Sequence, residues 1–350
     1  MTGFKWLGIC GLLATQAVAA EPASMLELQL KDAQFVGTIA AKNTEYVWLL
    51  QRDGRLDRLA ITDVIDYRPL SDKFAPYPAA DFRDRLVREF GAGYEVAGSI
   101  HYLVVARKGA AKRFVSLFED LYRQLHVYLA ARGFRIHEPK FPLVAIVLPT
   151  PEKFVEYCEK ERVKISTGLR GFYIPGTNRV ALYETGEELD DTVIHEAVHQ
   201  VAFNLGLHRR MGENPLWLVE GLATALEPEN FRKPLPSTPL FAKVNRERFV
   251  HFRNFAAERR SKKSLTEFVC QDDLFQSAPL DAYSQAWALT FFLLETRQAQ
   301  FADYLRKTAA RPVGESYGPE ERLADFQKFF GKDLTLLEAD FLRFMTGLGR

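Results

Sequence analysis

The stretch Val193-Ile194-His195-Glu196-Ala197-Val198-His199-Gln200 decides how this chain is interpreted, and its surroundings predict an α-helix. Either Asp190 or Asp191 can cap the start of that helix, and Gly206 can end it. Apolar side chains recur at helical spacing along it, at Ile194, Val198, Val201 and Leu205. The pattern indicates an amphipathic helix that carries two histidines.

The two histidines have the spacing of metal ligands. Residues four apart on an α-helix differ by roughly 40° in direction and about 6 Å along the axis, so His195 and His199 can reach one ion. Glu196 projects from the same turn, where it can accept a proton from metal-bound water. The alternative is a histidine pair with a purely structural role. The residue types favour a metal site.

A catalytic zinc site needs three protein ligands and an open fourth position. Glu220 is the predicted third ligand, because the twenty residues after His199 are enough to leave one helix, turn and return antiparallel. Gly221 would then allow close packing against the metal helix. His208, nine residues past His199, is the alternative third ligand.

The metal motif followed by Trp217-Leu218-Val219-Glu220-Gly221 resembles the gluzincins, zinc peptidases whose third ligand is a glutamate on the next helix. This resemblance implies Zn²⁺ bound by His195, His199 and Glu220, with Glu196 as the general base. Over roughly residues 90 to 345 the chain also resembles an uncharacterised peptidase-MA-like branch, through segments 171–173, 178–179 and 283–289.

The resemblance implies roles outside the metal motif as well. In gluzincins the strand before the metal helix binds the substrate backbone by edge pairing, which would assign Arg179, Ala181 and Tyr183 to substrate binding. A tyrosine well beyond the glutamate ligand stabilises the oxyanion in aminopeptidase relatives, and Tyr283 is matched to it. An aromatic residue that only packs between helices is the alternative for Tyr283.

Two positions depart from the family pattern. Thermolysin-like gluzincins have an aspartate four residues after the glutamate ligand, where it orients a histidine. This chain has Thr224 there, whose hydroxyl would do so less strongly. Metal-dependent aminopeptidases carry a Gly-x-Met-Glu-Asn segment before the metal helix, and none occurs here. An endopeptidase is therefore favoured.

The chain as a whole is predicted to be α+β. Residues 21–70 contain five short segments rich in β-branched and aromatic residues, separated by turn residues, which predicts a small SH3-like β-barrel. Residues 71–90 are predicted to be a connector. The remaining residues, 91–350, are expected to form a zincin-like domain with a mixed sheet, the metal-binding helices and a helical C-terminal part. The barrel would bind a protein or cell-wall ligand, or serve structure alone.

The first twenty residues predict export. They have one positive charge at Lys5, an apolar stretch, and small residues at the end, as a secretory signal peptide has. We therefore expect a periplasmic or secreted protein with no membrane span after cleavage, and a single membrane anchor is the alternative. In an oxidising compartment Cys158 and Cys270 could be joined, or they could be separately buried thiols.

The net charge of the chain and its sequence motifs limit the classes of function to consider. Lysine and arginine number 46 and acidic residues 45, and removal of residues 1–20 takes away one basic residue and no acid, which leaves 45 of each. A neutral chain gives no reason to expect nucleic acid as a partner. The predicted function is zinc-dependent hydrolysis of a peptide or protein substrate. The alternatives are a non-catalytic zinc-fold scaffold or binding protein of the cell envelope, and hydrolysis of a non-peptide amide.

Overall fold

The computed structural model describes residues 24–165, 168–184, 191–234, 237–261 and 263–348. Within them the fold is α+β, as predicted: an antiparallel sheet comes first, a mixed sheet follows, and helices make up the C-terminal part. The predicted signal peptide lies outside the described residues. In the part of the chain that is described, no helix has both the length and the apolar character needed to cross a membrane.

The secondary-structure elements follow one another in chain order. The strands are β1 (Ser24–Leu30), β2 (Gln34–Lys42), β3 (Tyr46–Leu50), β4 (Leu56–Ala60), β5 (Val64–Lys73), β6 (Tyr94–Gly98), β7 (Tyr102–Arg107), β8 (Leu143–Leu148), β9 (Gly171–Ile174) and β10 (Arg179–Tyr183). The helices are α1 (Ala79–Phe90), α2 (Ala111–Ala131), α3 (Pro151–Lys160), α4 (Asp191–Asn204), α5 (Leu216–Ala225), α6 (Glu229–Arg232), α7 (Arg246–Glu258), α8 (Ser264–Cys270), α9 (Asp273–Ser277), α10 (Pro279–Thr296), α11 (Gln298–Ala309), α12 (Pro319–Phe330) and α13 (Leu334–Gly347).

The N-terminal sheet consists of the five predicted strands, in the order β4-β3-β2-β1-β5 with every pair antiparallel. Its core is small, because only four apolar side chains of this sheet form the buried cluster, namely Leu28, Val47, Leu49 and Leu59. The ladders among the described residues do not pair β4 with β5, so closure into an SH3-like barrel stays a prediction.

The segment predicted as a connector, residues 71–90, contains regular structure. Strand β5 continues to Lys73, and helix α1 begins at Ala79. Phe82 and Leu86 lie four apart on α1 and are 2% and 0% exposed, because they pack against one face of the second sheet. The helix therefore belongs to the core of the second sheet.

The second sheet has the order β6-β7-β8-β10-β9. Strands β7, β8 and β10 run parallel, and β6 and β9 are antiparallel at the two edges. Alternate side chains face opposite sides, so Val180 joins the core with α2 and α4, whereas Ala181 joins the core with α1 and α3. Helix α4, which carries the two histidines, thus covers one face only.

Strand β10, the predicted site of substrate edge pairing, is paired with another strand along each of its edges. Arg179–Tyr183 pairs in parallel with Val144–Leu148, and its first four residues, 179–182, pair antiparallel with Gly171–Ile174. Its backbone groups are therefore used within the sheet. Among the described strands, β9 is the edge strand on this side of the sheet.

Cys158 and Cys270 are both free and buried. Cys158 lies in the core that contains α1 and α3, and Cys270 lies in the larger core on the other side of the sheet. The structure thus has the two thiols buried separately, which was the second of the two alternatives.

The N-terminal sheet is tied to the turn between β9 and β10. The Arg210 guanidinium donates to the carbonyl oxygens of Gly54 at 2.6 Å and Pro175 at 2.7 Å. The backbone N–H of Leu56 donates to the Gly176 carbonyl at 2.7 Å. These bonds connect β4 and the turn before it to the turn that directly follows edge strand β9.

Candidate metal centre

Helix α4 ends as the sequence predicts. Gly206 has φ +85°, in the left-handed region that glycine adopts without strain, and the Leu207 N–H donates to the Ala202 carbonyl at 2.9 Å. The helix begins at Asp191, and the other predicted cap, Asp190, lies outside the described residues.

A glutamine directly after the second histidine anchors α4 to the sheet. The Gln200 amide donates to the carbonyl oxygens of Val144 at 3.0 Å and Asn178 at 2.8 Å, and its side chain is fully buried. The amides of Asn178 and Asn204 exchange two further hydrogen bonds, at 2.9 and 2.7 Å. Since buried polar bonds of this kind permit only one arrangement, they fix the rotation of α4 against β8 and β10.

His195, His199 and Glu220 converge. His195 Nε2 lies 3.0 Å from His199 Nε2, and Glu220 Oε2 lies 3.2 Å from the first nitrogen and 3.4 Å from the second. Ligand atoms at about 2.0–2.1 Å from a tetrahedral ion are separated by roughly 3.3–3.4 Å, so these distances fit a metal ion. In the described residues it is the one group of three such side chains with this spacing. The group could hold a metal ion.

Glu227, which the sequence analysis missed, holds the first histidine. Its Oε1 lies 2.7 Å from His195 Nδ1, and its Oε2 accepts a hydrogen bond of 2.6 Å from the Asn245 amide. Nε2 is therefore the nitrogen that faces His199 and Glu220, and it is the atom that would bind an ion. Burial lowers the pKa of His195, but hydrogen bonds to Glu220 and Glu227 outweigh it and raise that pKa well above its usual value.

Thr224 lies where thermolysin-like gluzincins have the aspartate that orients a histidine, but its hydroxyl bonds elsewhere. The Thr224 hydroxyl donates within its own helix, to the carbonyl oxygens of Glu220 at 2.7 Å and Gly221 at 3.2 Å. No hydrogen bond from Thr224 to a histidine is found among the described residues. A short side chain on α5 satisfies the nearest carbonyl, whereas Glu227, beyond the helix end, reaches His195.

Glu196 lies between the two ligands in sequence and beside the edge strand in space. A Cβ added to Gly171 would lie 3.3 Å from Glu196 Cγ, so glycine gives this side chain its room against β9. Burial raises the pKa of Glu196, and the nearby charge of Glu220 adds to this. The two histidines and the backbone N–H of Tyr173 oppose the rise.

Tyr283 is brought to the centre by α10. Its ring centroid is 6.4 Å from that of His195. Burial raises the pKa of its hydroxyl, and the charges of Glu220 and Glu196 raise it further, so the hydroxyl keeps its proton. The Arg248 guanidinium lies 5.6 Å from the ring centroid of Tyr283.

Gly221 has a different packing partner from the one predicted. A Cβ at this position would lie 2.2 Å from Thr290 Oγ1 and 2.6 Å from the Ala286 carbonyl oxygen. Both atoms belong to α10, whereas the sequence suggested contact with the metal helix. The glycine thus permits close approach of α5, which carries Glu220, to the helix that carries Tyr283.

The predicted substrate-binding residues lie away from the metal ligands. Ala181 and Tyr183 face the core that contains α1 and α3. Arg179 is 5% exposed and forms a two-pronged ion pair with Glu89, at 2.8 and 3.0 Å. Alternation along β10 places all three on the face opposite α4. Their assignment to substrate binding stays a prediction.

His208, the alternative third ligand, is not part of the converging group. Its ring packs on Phe203 with centroids 5.2 Å apart, and it is 3% exposed. Burial lowers its pKa to about 3, so the imidazole is neutral at physiological pH. Neither ring nitrogen has a hydrogen-bond partner among the described residues.

Residues 190–314 are similar to a family described as "Protein of unknown function (DUF1570)". That stretch contains the converging group together with Glu196, Glu227 and Tyr283. No curated protein matches the chain.

Proposed function

We propose that this protein is a zinc-dependent peptidase of the gluzincin type, and that it cleaves peptide or protein substrates internally in the periplasm or after secretion. The observation that carries the proposal is the convergence of His195, His199 and Glu220, with Glu196 adjacent on the same helix. Nitrogen and carboxylate ligands in a set of three, with one position left open, are typical of catalytic zinc sites.

The centre is accessible, as catalysis requires. The side chains of His195 and Glu220 are 15% and 16% exposed, and that of His199 is 10% exposed. A structural zinc site is normally closed by four protein ligands, whereas three partly exposed ligands leave room for water and a carbonyl. This accessibility favours catalysis over the scaffold alternative.

Substrate backbone is proposed to bind along β9. An extended peptide can add to an exposed sheet edge by main-chain hydrogen bonds. Residues Gly171–Ile174 offer that edge among the described strands, and Gly171 lies against Glu196. This arrangement would present a peptide bond to the catalytic carboxylate.

Zinc, when bound, lowers the pKa of a coordinated water and polarises a carbonyl oxygen. Glu196 is proposed to accept the proton of the attacking water and to return it to the leaving nitrogen. Tyr283, whose hydroxyl stays protonated, is proposed to donate a hydrogen bond to the oxygen that becomes negative.

The test is cleavage of a peptide library by the zinc-loaded protein and by Glu196→Gln. We expect the variant to keep its zinc and to lose activity by about 10²- to 10⁴-fold, the range for loss of a general base. Glu229→Gln, an exposed glutamate on α6, serves as the control. Equal turnover by Glu196→Gln would refute its role as the base, and no cleavage of any peptide by the unaltered protein would favour the scaffold.

Blocked peptides test the internal cleavage. An endopeptidase cleaves peptides whose amino terminus is acetylated, because it does not use the free amine. We therefore expect acetylated and free forms of the same peptide to be cleaved at the same internal bond. Cleavage of the free form alone, one residue at a time, would indicate an aminopeptidase.

A further inference from the structure

An arginine on α7 lies beside the candidate metal centre. The Arg248 guanidinium carbon is 5.6 Å from the ring centroid of Tyr283, and that centroid is 6.4 Å from the centroid of the His195 ring. Together these distances place the guanidinium carbon at most about 12 Å from the His195 centroid, a length that about four extended residues span. A peptide that reaches the converging ligands can therefore also reach Arg248.

The position of Arg248 is set by the contacts that orient the first histidine. Asn245 caps the start of α7, and its Oδ1 accepts a hydrogen bond of 3.2 Å from the backbone N–H of Arg248. The amide of Asn245 donates to Glu227 Oε2 at 2.6 Å, and Glu227 Oε1 lies 2.7 Å from His195 Nδ1. The first turn of α7 is thus connected to the centre by a continuous series of polar contacts.

The Arg248 guanidinium lacks a hydrogen-bond acceptor within the described residues. Its one ion pair there is with Glu247, at 3.8 Å, which is longer than a hydrogen bond. The Glu247 side chain is 82% exposed, and such an ion pair contributes little. By contrast, Arg179 and Arg322 each donate to a carboxylate at 2.8 Å. The donors of Arg248 are therefore available to another molecule.

These donors are also accessible. The Arg248 side chain is 23% exposed, and none of its nitrogens is among the fully buried polar atoms that lack a partner. A guanidinium presents a planar fork of N–H groups that matches the two oxygens of a carboxylate, and such charge-assisted pairs are among the strong hydrogen bonds. A carboxylate is therefore the ligand chemistry that fits this position.

A purely electrostatic explanation for Arg248 also exists. Burial and the charges of Glu220 and Glu196 raise the pKa of Tyr283, and the positive charge of Arg248 opposes that rise. This role requires a charge but no hydrogen bonds, and it predicts no preference among substrates. The two explanations therefore differ in what they predict for acidic and neutral peptides.

We infer that Arg248 determines specificity by binding a carboxylate of the peptide substrate, at a residue within about three positions of the cleaved bond. The substrates are then peptides or proteins with an aspartate or glutamate near that bond, or with a free carboxyl end there. This inference rests on the proposed peptidase function and names the substrate class of the same site.

The test is peptide binding to the zinc-loaded Glu196→Gln protein, measured by fluorescence anisotropy, which separates recognition from cleavage. Labelled peptides, blocked at both ends and otherwise neutral, carry one glutamate at successive positions, and each is compared with its glutamine counterpart. We expect glutamate to bind at least about tenfold more tightly at one or more positions. Equal binding of the two series at every position, or no binding of any peptide, overturns the inference.

A second arm distinguishes the two sources of the carboxylate. A peptide without acidic side chains is compared in two forms, with a free carboxyl end and with that end amidated. Tighter binding of an internal glutamate than of the free carboxyl end assigns Arg248 to acidic side chains. The reverse order assigns it to the carboxyl end, and no advantage of either carboxylate over its neutral counterpart overturns the inference.

Variants on the same background locate the preference. Arg248→Gln is expected to bind glutamate and glutamine peptides equally, and Arg248→Lys, which keeps the charge but loses the fork, to keep part of the preference. Arg253→Gln is the control, because Arg253 is an exposed arginine of α7 that also lies 5.7 Å from an aromatic ring. Full preference in Arg248→Gln, or equal loss in the control, would overturn the assignment. If Arg248→Gln does not fold, Arg248→Lys supplies the comparison.

Cleavage of the same peptides by the unaltered protein separates this inference from the proposed function. Selective binding of acidic peptides without cleavage would contradict peptidase activity and leave recognition by Arg248 in place. Cleavage with equal kcat/KM for glutamate and glutamine peptides would leave peptidase activity in place and overturn the inference.

Discussion

Glu227 Oε1 lies 2.7 Å from His195 Nδ1, on the side of the imidazole that faces away from His199 and Glu220. The carboxylate therefore decides which nitrogen points to the other two ligands. Asn245 holds the second carboxylate oxygen at 2.6 Å, so the orienting group is itself held in place. A ligand that is held in one orientation loses less freedom when a metal binds.

Glu227→Ala is expected to weaken zinc binding by about 10- to 100-fold, because His195 loses the partner that orients it. The measurement is competition for zinc with a fluorescent chelator. Glu229→Gln, two residues further along and 70% exposed at the side chain, is the control and should leave affinity unchanged. Full zinc affinity in Glu227→Ala would show that this contact does not prepare the centre.

Glu220→Ala is expected to lose zinc during dialysis against a mild chelator, since two imidazoles alone hold the ion weakly. Metal content is measured by atomic emission. Thr224→Val on the same helix removes only a hydroxyl that donates to backbone, so its zinc content should match that of the unaltered protein. Retention of zinc by Glu220→Ala would move the third ligand elsewhere.

Gly221→Ala is expected to destabilise the fold by about 1–3 kcal/mol, the usual cost of overpacking a core. The added Cβ would lie 2.2 Å from Thr290 Oγ1 and 2.6 Å from the Ala286 carbonyl oxygen, so α5 and α10 must separate. Urea unfolding measures the effect. Gly93→Ala, where a Cβ meets nothing within 4 Å, is the control.

A second substitution tests whether steric overlap causes the destabilisation by Gly221→Ala. Thr290→Ala removes the closest obstructing atom, so Gly221→Ala combined with it should recover part of the lost stability. The Ala286 carbonyl remains, and recovery should therefore be incomplete. A destabilisation equal to that of Gly93→Ala would mean that the close approach of the two helices is not required.

Tyr283→Phe is expected to lower kcat by about 10²- to 10³-fold with little change in KM, if the hydroxyl acts only on the developing negative charge. Steady-state kinetics on a cleaved library peptide give both constants. Tyr183→Phe is the matched control, because Tyr183 faces the opposite core and should not alter kcat. Similar losses in both variants would contradict a specific role of Tyr283.

The group that could hold a metal ion was predictable because the geometry of its two histidines is local. Two histidines four apart on a helix lie on one side of it whatever surrounds them. Prediction of Glu220 required only that the chain turn after α4 and return beside it in the next helix. Glu227 could not be predicted, because it follows the end of α5 at Ala225 and its direction depends on the path of the chain there. The sequence offers one signal for it, an acidic residue between Leu226 and Pro228. In the fold that residue is 8% exposed.

The strand order was beyond prediction for a different reason. The sequence gives β9 and β10 as a hairpin, and a hairpin has two outer edges. Which edge stays open depends on whether β8 pairs with β9 or β10, and β8 is separated from both by α3. Pairing across such a distance leaves no periodic signal. The gluzincin resemblance places the substrate strand directly before the metal-motif helix, which is β10.

Arg210 links the N-terminal sheet to the surroundings of the candidate metal centre, although the sheet lies far from that centre in the sequence. One guanidinium joins the Gly54 carbonyl to those of Pro175 and Gly176, directly after β9. A chain shortened to begin at residue 71 would lose Gly54 and Leu56, and with them the bonds that restrain this turn. The small sheet is therefore not a detachable module, since its removal would loosen the strand that lies against Glu196.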